Sequence, residues 1–380
     1  MISLNLLSQV DSYYVQTYST EPLFETNEDS HYVAFNPSIN LENKLFVFIG
    51  GTYSKTKNST YLLDRAAELG FHAMSIAYPN NVAVQSACGN SADEDCHWNF
   101  RQEICYGTPL SNNVNNDSLN CLSSRIYKLL AYLDVNFPSQ NWGQYIDGEE
   151  IVWSKIITGG HSQGAGHALY FAKTQNIDRC LMFSGANDYS NYYNTAPNWI
   201  SDSFITDKSK IFSFLHLRDG TVPFETQYQI IQSLGLTTND DTTLVDSGAD
   251  YQDSHLLYTN KEPRISFLAP FHNATALDNW TPLDNSNQPL FLPVWDYMLT
   301  DPIINDVNTT LFVSYQVFPN PFQDQLTIAL QGVELIQLYN SLGQIMLQER
   351  MNQGVINTSE LERGIYFLKI GSSVRKLVKQ

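Results

Sequence analysis

Short, mostly apolar runs recur along much of the chain. They cover residues 45–49, 72–78, 151–158, 179–184 and 210–217. Strands that are apolar at almost every position are buried on both faces of a sheet. Between these runs, residues 60–69, 119–135 and 165–175 place apolar side chains at helical spacing. Buried strands that alternate with helices predict an α/β fold with a doubly wound, mostly parallel sheet.

The pattern changes toward both ends of the sequence. Residues 13–37 alternate more between apolar and polar positions, which predicts antiparallel strands at an edge of the sheet. Near the other end, helical spacing gives way to short strands with turns between them, at 325–330, 334–339, 345–350 and 365–370. We therefore predict a large domain, residues 1–312, and a small all-β sandwich domain, residues 313–380.

The composition is that of an acidic, globular protein. Of the 380 residues, 43% are hydrophobic and 16% are charged, and the formal net charge is −18. A negative charge of this size argues against nucleic acid and against an anionic membrane surface as partners. Its main expected effect is solubility. The apolar runs are too short for a transmembrane helix, so none is predicted.

Four of the five cysteines crowd into one polar stretch, at Cys88, Cys96, Cys105 and Cys121. In an oxidising compartment this clustering predicts two disulfides that staple a long irregular loop. The local pairing would be Cys88–Cys96 and Cys105–Cys121, with Cys180 unpaired in a strand. Free thiols of a cytosolic protein are the alternative. The spacing lacks the paired C-x-x-C pattern of a structural zinc site, and no metal is expected.

The first ten residues lack the basic segment of a signal peptide. An export signal would therefore have been removed or would lie upstream of this sequence. The cysteines favour this interpretation over a cytosolic protein.

A serine motif follows the third apolar run. Residues 160–164 read Gly-His-Ser-Gln-Gly, a G-x-S-x-G sequence between a predicted strand and a predicted helix. In this context the serine sits on a sharp turn with strained backbone angles, and the glycines remove side chains that would clash. The turn exposes the hydroxyl and directs the amino end of the helix at the reacting centre. Ser162 is therefore the predicted nucleophile; a glycine-rich helix start needed only for packing is the alternative.

A serine nucleophile of this kind needs an acid and then a histidine further along the chain. Only His255 and His272 lie far enough along to be the base. Asp219 lies in the loop just after the fifth apolar run and is the predicted acid, which orients the imidazole; Asp188, after the fourth run, is the fallback. His255 begins a predicted strand, whereas His272 lies in a loop. We favour His272 because a base above the sheet belongs on a loop.

Two backbone N–H groups are expected to stabilise the oxyanion. One belongs to Gln163, directly after the nucleophile, and the other to Thr52, in the turn after the first apolar run. His161 and His167 flank the serine and are expected to pack rather than react. The acidic residues at 93–95 and the nearby histidine suggest a metal site, but a solvated loop is the favoured interpretation.

Three segments together resemble a known family. They are residues 159–167 around the serine, residues 219–223 (Asp-Gly-Thr-Val-Pro) and residues 272–282, which begin His-Asn-Ala-Thr-Ala-Leu-Asp. They resemble a bacterial, BPSS-type branch of the α/β-hydrolase superfamily, over residues 45–282. The resemblance implies Ser162, Asp219 and His272 as a catalytic triad, and it implies no substrate.

The last part of the sequence carries three further motifs. Residues 317–322 read Val-Phe-Pro-Asn-Pro-Phe, residues 338–343 read Leu-Tyr-Asn-Ser-Leu-Gly, and residues 364–370 read Gly-Ile-Tyr-Phe-Leu-Lys-Ile. In this order they resemble the type A sorting domain of the type IX secretion system of Bacteroidetes. The resemblance implies that a Gram-negative bacterium exports the protein through this machinery, to the cell surface or beyond, and removes the domain on release.

The combined expectation is a secreted serine hydrolase that cleaves carboxylic esters, small or polymeric, through an acyl-enzyme on Ser162 and without a cofactor. A peptidase or a polysaccharide deacetylase with the same triad is an alternative in the same class. A non-catalytic surface-binding protein on a hydrolase scaffold is the alternative from another class. The complete set of Ser162, Asp219 and His272 argues against it.

Overall fold

The structure is a computed structural model, and it describes residues 10–25, 30–39, 42–237, 242–247, 251, 254–300, 316–340, 344–370 and 373–380. The chain divides into two compact units, Met1–Pro302 and Ile303–Gln380. The domain boundary predicted after residue 312 lies outside the described residues.

A nine-stranded sheet forms the centre of the larger unit. Its strands are β1 (Asp11–Gln16), β2 (Ser30–Phe35), β3 (Leu45–Ile49), β4 (His72–Ile76), β7 (Ile156–His161), β8 (Arg179–Phe183), β9 (Ile211–His216), β10 (Thr242–Leu244) and β11 (Leu256–Thr259), and β5 (Ile146–Asp147) and β6 (Glu150–Ile151) form a separate hairpin. The order is β1-β2-β4-β3-β7-β8-β9-β11-β10. The β1–β2 and β2–β4 pairs are antiparallel and the other pairs are parallel. The predicted mostly parallel sheet with an antiparallel edge is confirmed.

Helices accompany the strands of this unit. They are α1 (Thr17–Thr20), α2 (Thr60–Glu68), α3 (Val84–Cys88), α4 (Cys96–Tyr106), α5 (Leu122–Asn136), α6 (Gln163–Thr174), α7 (Asn198–Ser201), α8 (Phe224–Ser233), α9 (Pro270–Asn273) and α10 (Leu292–Leu299). The three predicted helices correspond to α2, α5 and α6.

Apolar clusters cover both faces of the sheet. Val47 and Ile49 of β3 belong to a cluster that includes residues of α4, α5 and α6. Phe46 and Phe48 belong to a second cluster, with α2 and α10. Because neighbouring residues of β3 point into different clusters, every position of the strand must be apolar. This two-sided burial explains the unbroken apolar runs in the sequence.

The cysteine-rich segment is not an irregular loop, and that prediction is wrong. It contains α3 and α4. Arg101 and Glu103 lie on α4, and both side chains are buried. The Glu103 carboxylate accepts hydrogen bonds from three backbone N–H groups at 2.8–3.1 Å. These two charged side chains are buried with hydrogen-bond partners, and they interrupt the apolar periodicity by which such a helix is recognised.

The cysteines follow the prediction only in part. Cys88 and Cys96 form a disulfide between α3 and α4, as predicted. Cys105 and Cys121 are buried and free, so the second predicted disulfide is wrong. Cys105 lies on α4 with its Sγ 3.8 Å from Nδ1 of His167, whereas the Cys121 thiol donates to a backbone carbonyl of its own turn. Each thiol therefore has its own surroundings; the fifth cysteine, in β8, is free as predicted.

The third apolar run is also not one strand. Ile151 ends the hairpin strand β6, and a 3-10 turn covers Trp153–Lys155. β7 begins at Ile156 and continues to His161, so it reaches the residue directly before Ser162.

Within its described residues, the smaller unit is one five-stranded sheet with antiparallel strand pairs. Its strands are β12 (Gln316–Phe318), β13 (Gln325–Asn340), β14 (Ile345–Asn357), β15 (Gly364–Ile370) and β16 (Ser373–Lys379). Two predicted strands are joined in β13, whose pairing with β14 shifts in register between Ala329 and Glu334. The all-β character is confirmed, and the layering of a sandwich stays a prediction.

Buried histidines predict a loss of stability in mild acid. Burial lowers the pKa of His31 and His161 to about 3 and that of His72 to about 4. An unfolded chain binds these protons below about pH 6.5, whereas the folded chain does not. Stability that is fully present above that pH is therefore lost as the pH falls, by about 1.4 kcal/mol per pH unit for each of the three histidines.

Urea unfolding of the full chain at about pH 7.5 and about pH 5.5 measures this loss. All six tryptophans precede residue 302, so their fluorescence reports on the larger unit. His72→Gln is the control, and it should reduce the pH dependence by one proton. Equal unfolding free energies at the two pH values would contradict the prediction.

Candidate active site

The site lies where the winding of the sheet reverses. β3 is flanked by β4 on one side and by β7 on the other. The chain adds β4 on one side of β3 and then crosses to add β7 on the other side. The carboxyl ends of two such strands border a crevice, the usual place for a ligand in an open α/β sheet. Gly50 and Gly51 follow β3 at this edge, and Ser162 follows β7.

Ser162 occupies a strained turn between β7 and α6. Its backbone angles are φ 56° and ψ −121°, outside the usual regions for an L-residue. A Cβ on Gly160 would collide with the backbone of Gly164, and a Cβ on Gly164 would collide with the backbone of Ile49. The Ser162 N–H donates to the carbonyl of Phe183 at 2.9 Å. Close packing of β3, β7 and α6 thus requires both glycines of the motif.

Asp219 and His272 form a buried, hydrogen-bonded pair. His272 Nδ1 donates to Asp219 Oδ2 at 2.6 Å. The carboxylate also accepts from the N–H groups of Thr221 and Val222, at 2.9 and 3.0 Å, and from Gln227 Nε2 at 2.9 Å. Burial raises the pKa of the Asp219 carboxyl, but the hydrogen bond and charge of His272 and the two N–H groups outweigh it and lower that pKa overall. Asp219 is therefore ionised.

The imidazole of His272 lies beside the serine turn. His161, the residue before Ser162, donates from Nε2 to the backbone carbonyl of His272 at 3.0 Å, and the two rings are 4.8 Å apart. Burial keeps the pKa of His161 at about 3, so this contact is made by a neutral ring. His272 Nε2 is buried and has no hydrogen-bond partner among the described residues. With Nδ1 engaged by the carboxylate, Nε2 is the nitrogen left to accept a proton.

Gln163 is fixed at three points. Its Oε1 accepts from the N–H of Val84 at 2.7 Å, and its Nε2 donates to the carbonyl of Val82 at 3.0 Å. Its own carbonyl accepts from Arg101 Nη1 at 2.8 Å. As the first residue of α6, its N–H has no acceptor one turn earlier in the helix. This N–H is the first predicted oxyanion donor.

The turn after β3 lies against the serine. A Cβ on Gly51 would be 3.0 Å from Ser162 Cβ and 3.0 Å from the His161 carbonyl oxygen, a tighter contact than side chains normally make. Asn80 Nδ2 donates to the Gly51 carbonyl at 2.9 Å and so fixes the turn. Within the part of the chain that the structure describes, nothing accepts a hydrogen bond from the N–H of Thr52. The second predicted oxyanion donor is therefore unpaired and adjoins the residue packed on Ser162.

His255 lies at the amino ends of the strands, away from Ser162 at their carboxyl ends. It directly precedes β11, whereas Asp219 follows β9, and these two strands are parallel. His255 Nδ1 is 2.9 Å from the Ile211 carbonyl, and its ring stacks on Phe212. The structure thus brings His272 to Asp219 and keeps His255 at the amino ends of the strands.

Asp188, the fallback acid, pairs with a different residue. It forms an ion pair with Arg101, and both side chains are fully buried. Arg101 Nε donates to the same carboxylate at 3.2 Å, while Nη1 lies 3.2 Å from Nδ1 of His167. A Cβ on Gly166 would collide with the guanidinium. Sequence reasoning missed Arg101 because it lies in the segment predicted to be irregular.

Asn187 is a second residue that sequence reasoning missed. Its Nδ2 donates to Ser162 Oγ at 3.0 Å. The side chain is buried, and its Oδ1 has no hydrogen-bond partner among the described residues. Nothing in the sequence distinguishes this asparagine, because its role depends on the loop after β8 returning to the serine.

The acidic segment before α4 does not gather a set of ligands. Asp93 and Glu94 are exposed, and His97 is buried in the first turn of α4. All three line a cavity of about 280 Å³. Among the residues with a described position, no three His, Cys, Asp or Glu side chains are grouped to hold a metal ion.

Comparison with known proteins identifies one part of the chain. Residues 316–380 match the family described as the secretion system C-terminal sorting domain. These residues form a type IX secretion sorting domain. The match covers all five strands of the smaller unit. The sorting domain marks the protein for export through the type IX machinery, to the cell surface or the medium. No curated protein matches the chain, and no helix among the described residues has the length and hydropathy to cross a membrane.

Loss of the Asp188 carboxylate is predicted to destabilise the larger unit strongly. Asp188→Ala leaves the guanidinium of Arg101 buried without its counter-charge, which costs about 3–5 kcal/mol of unfolding free energy. Urea unfolding followed by tryptophan fluorescence measures this loss.

Glu262→Ala is the matched control. It breaks the exposed Arg218–Glu262 ion pair, in which the nitrogen and oxygen are 2.7 Å apart, and it should cost about 0–1 kcal/mol of unfolding free energy. Equal losses of unfolding free energy in the two variants would contradict the prediction that breaking the buried pair costs more than breaking the exposed one.

Proposed function

We propose that the larger unit is an α/β-hydrolase that cleaves carboxylic esters through an acyl-enzyme on Ser162. The observation that carries this proposal is the Asp219–His272 pair, which lies beside a serine held at φ 56°. The order of serine, acid and histidine along the chain and the strained serine turn support the same interpretation. The crevice supports it as well, because a nucleophile at a topological switch point is open to a ligand.

In the first step, Ser162 Oγ attacks the carbonyl carbon of the ester while its proton passes to His272 Nε2. The Oγ–C bond forms as the π electrons of the carbonyl move to its oxygen. Asp219 holds the imidazole in the required tautomer and stabilises the imidazolium. The N–H groups of Gln163 and Thr52 stabilise the oxyanion.

In the second step, the bond between carbon and the alcohol oxygen breaks, and this oxygen takes the proton from His272. The acyl group remains on Ser162. A water molecule then attacks the acyl carbon and gives a proton to His272, which returns it to Ser162 as the acid leaves. No electron transfer is needed at any point.

Acyl transfer as the reaction class rests on the residues, whereas a carboxylic ester as the substrate rests on analogy with the fold. A peptide or an acetylated polysaccharide would use the same triad. The three motifs of the sorting domain support a type A domain, which we propose is removed on release.

Substitution of the triad is predicted to abolish hydrolysis of p-nitrophenyl esters by the full chain. Ser162→Ala and His272→Ala should each lower kcat by about 10⁴- to 10⁶-fold, because each removes a step that the others cannot replace. Asp219→Asn should lower kcat by about 10⁴-fold, since it favours the wrong tautomer of the imidazole. Esters with acyl chains of increasing length define the acyl preference.

His255→Ala is the control and should keep wild-type activity. A fluorophosphonate probe should label the wild type but not Ser162→Ala. An inert wild type that no probe labels would overturn the hydrolase proposal in favour of a surface-binding protein. A protein that the probe labels but that does not hydrolyse esters would instead favour a peptidase or a polysaccharide deacetylase.

A further inference from the structure

We propose that the side-chain amide of Asn187 is a third oxyanion donor, beside the N–H groups of Gln163 and Thr52. The inference rests on the proposed serine hydrolase and adds a catalytic residue outside the triad.

The position of the amide is the first argument. Asn187 follows β8, the neighbour of β7, and its Nδ2 donates to Ser162 Oγ at 3.0 Å. In the tetrahedral intermediate, the oxyanion is bonded to the same carbon as Oγ. A donor that already contacts Oγ is therefore one tetrahedral centre away from the oxyanion. A small rotation of the side chain transfers the hydrogen bond from one oxygen to the other as negative charge develops.

Asn187 also has no structural partner in the part of the chain that the structure describes. Nδ2 bonds to the nucleophile itself, and Oδ1 is buried without a partner among the described residues. A buried, unsatisfied acceptor lowers the stability of the folded state. An apolar side chain of the same size would avoid this cost, so an asparagine at this position indicates a role in the reaction.

The donors are also held in place before the reaction. Asp188, the next residue, is held by Arg101, and the same guanidinium donates to the carbonyl of Gln163. One buried cation thus fixes the chain at two of the three donors. Oxyanion stabilisation depends on donors that are in place before charge develops. Arg101 is the positioning residue of this arrangement, and it does not touch the reacting atoms.

The test uses two variants of the full chain. Asn187→Leu keeps the approximate size of the side chain and removes both polar atoms. Asn187→Asp keeps the shape and replaces the donor by a second acceptor. Both should lower kcat for a p-nitrophenyl ester by about 100- to 1,000-fold with little change in KM, because the lost contact forms only in the transition state. The melting temperature of Asn187→Leu should equal or exceed that of the wild type.

Asn191→Leu is the matched control, since Asn191 lies in the same loop but is exposed; it should leave kcat unchanged. Wild-type kcat in both Asn187 variants would overturn the inference while the hydrolase proposal stands. A lower melting temperature in both Asn187 variants, with a loss of kcat that disappears when activity is measured well below that temperature, would give Asn187 a structural role and would also overturn the inference. If the wild type is inert and unlabelled by a fluorophosphonate, the hydrolase proposal itself fails.

Discussion

The buried guanidinium of Arg101 connects the parts of the molecule from which the candidate site is built. It pairs with Asp188 after β8 and bonds to the carbonyl of Gln163 at the start of α6. Its helix, α4, is joined to α3 by the Cys88–Cys96 disulfide. A buried ion pair adds little net stability, because desolvation of both charges offsets their attraction. What it supplies is a fixed geometry, since the guanidinium is planar and its donors point in set directions.

The fold could be predicted from the sequence wherever burial requires a recognisable pattern of apolar residues. β3 is apolar throughout because Val47 and Phe48 enter different cores, and that pattern is visible in five residues. α4 shows no such pattern, because Arg101 and Glu103 are buried with polar partners that come from distant or irregular segments. The prediction of a second disulfide was wrong because closeness along the chain does not show whether two cysteine side chains point toward each other.

The candidate site divides along a similar line. The strained turn at Ser162 could be predicted because it demands glycines at fixed spacing. Asp219 was indicated by its place after the fifth apolar run, and chain order left two histidines, of which His272 is favoured because it lies in a loop. The structure adds the 2.6 Å contact between Asp219 and His272, which no local pattern encodes. Asn187 and Arg101 could not be predicted, because each acquires its place only through the tertiary contact of segments far apart in sequence.

Backbone strain is concentrated at the same place. Among the described residues that have a positive φ, and apart from glycines, four are asparagines, which tolerate this conformation. The others are Tyr53, Ser162, Ser184, Leu268 and Ala269. Tyr53 follows β3, Ser162 follows β7, Ser184 follows β8, and Leu268 and Ala269 precede the helix of His272. Each such residue costs on the order of 1–3 kcal/mol. Random placement would spread that cost over the whole unit, whereas here it falls on the loops that hold the serine, its predicted base and the predicted oxyanion donors. The two-sided core beneath the loops offsets the strain, and the loops in turn present polar groups in positions that a relaxed backbone does not reach.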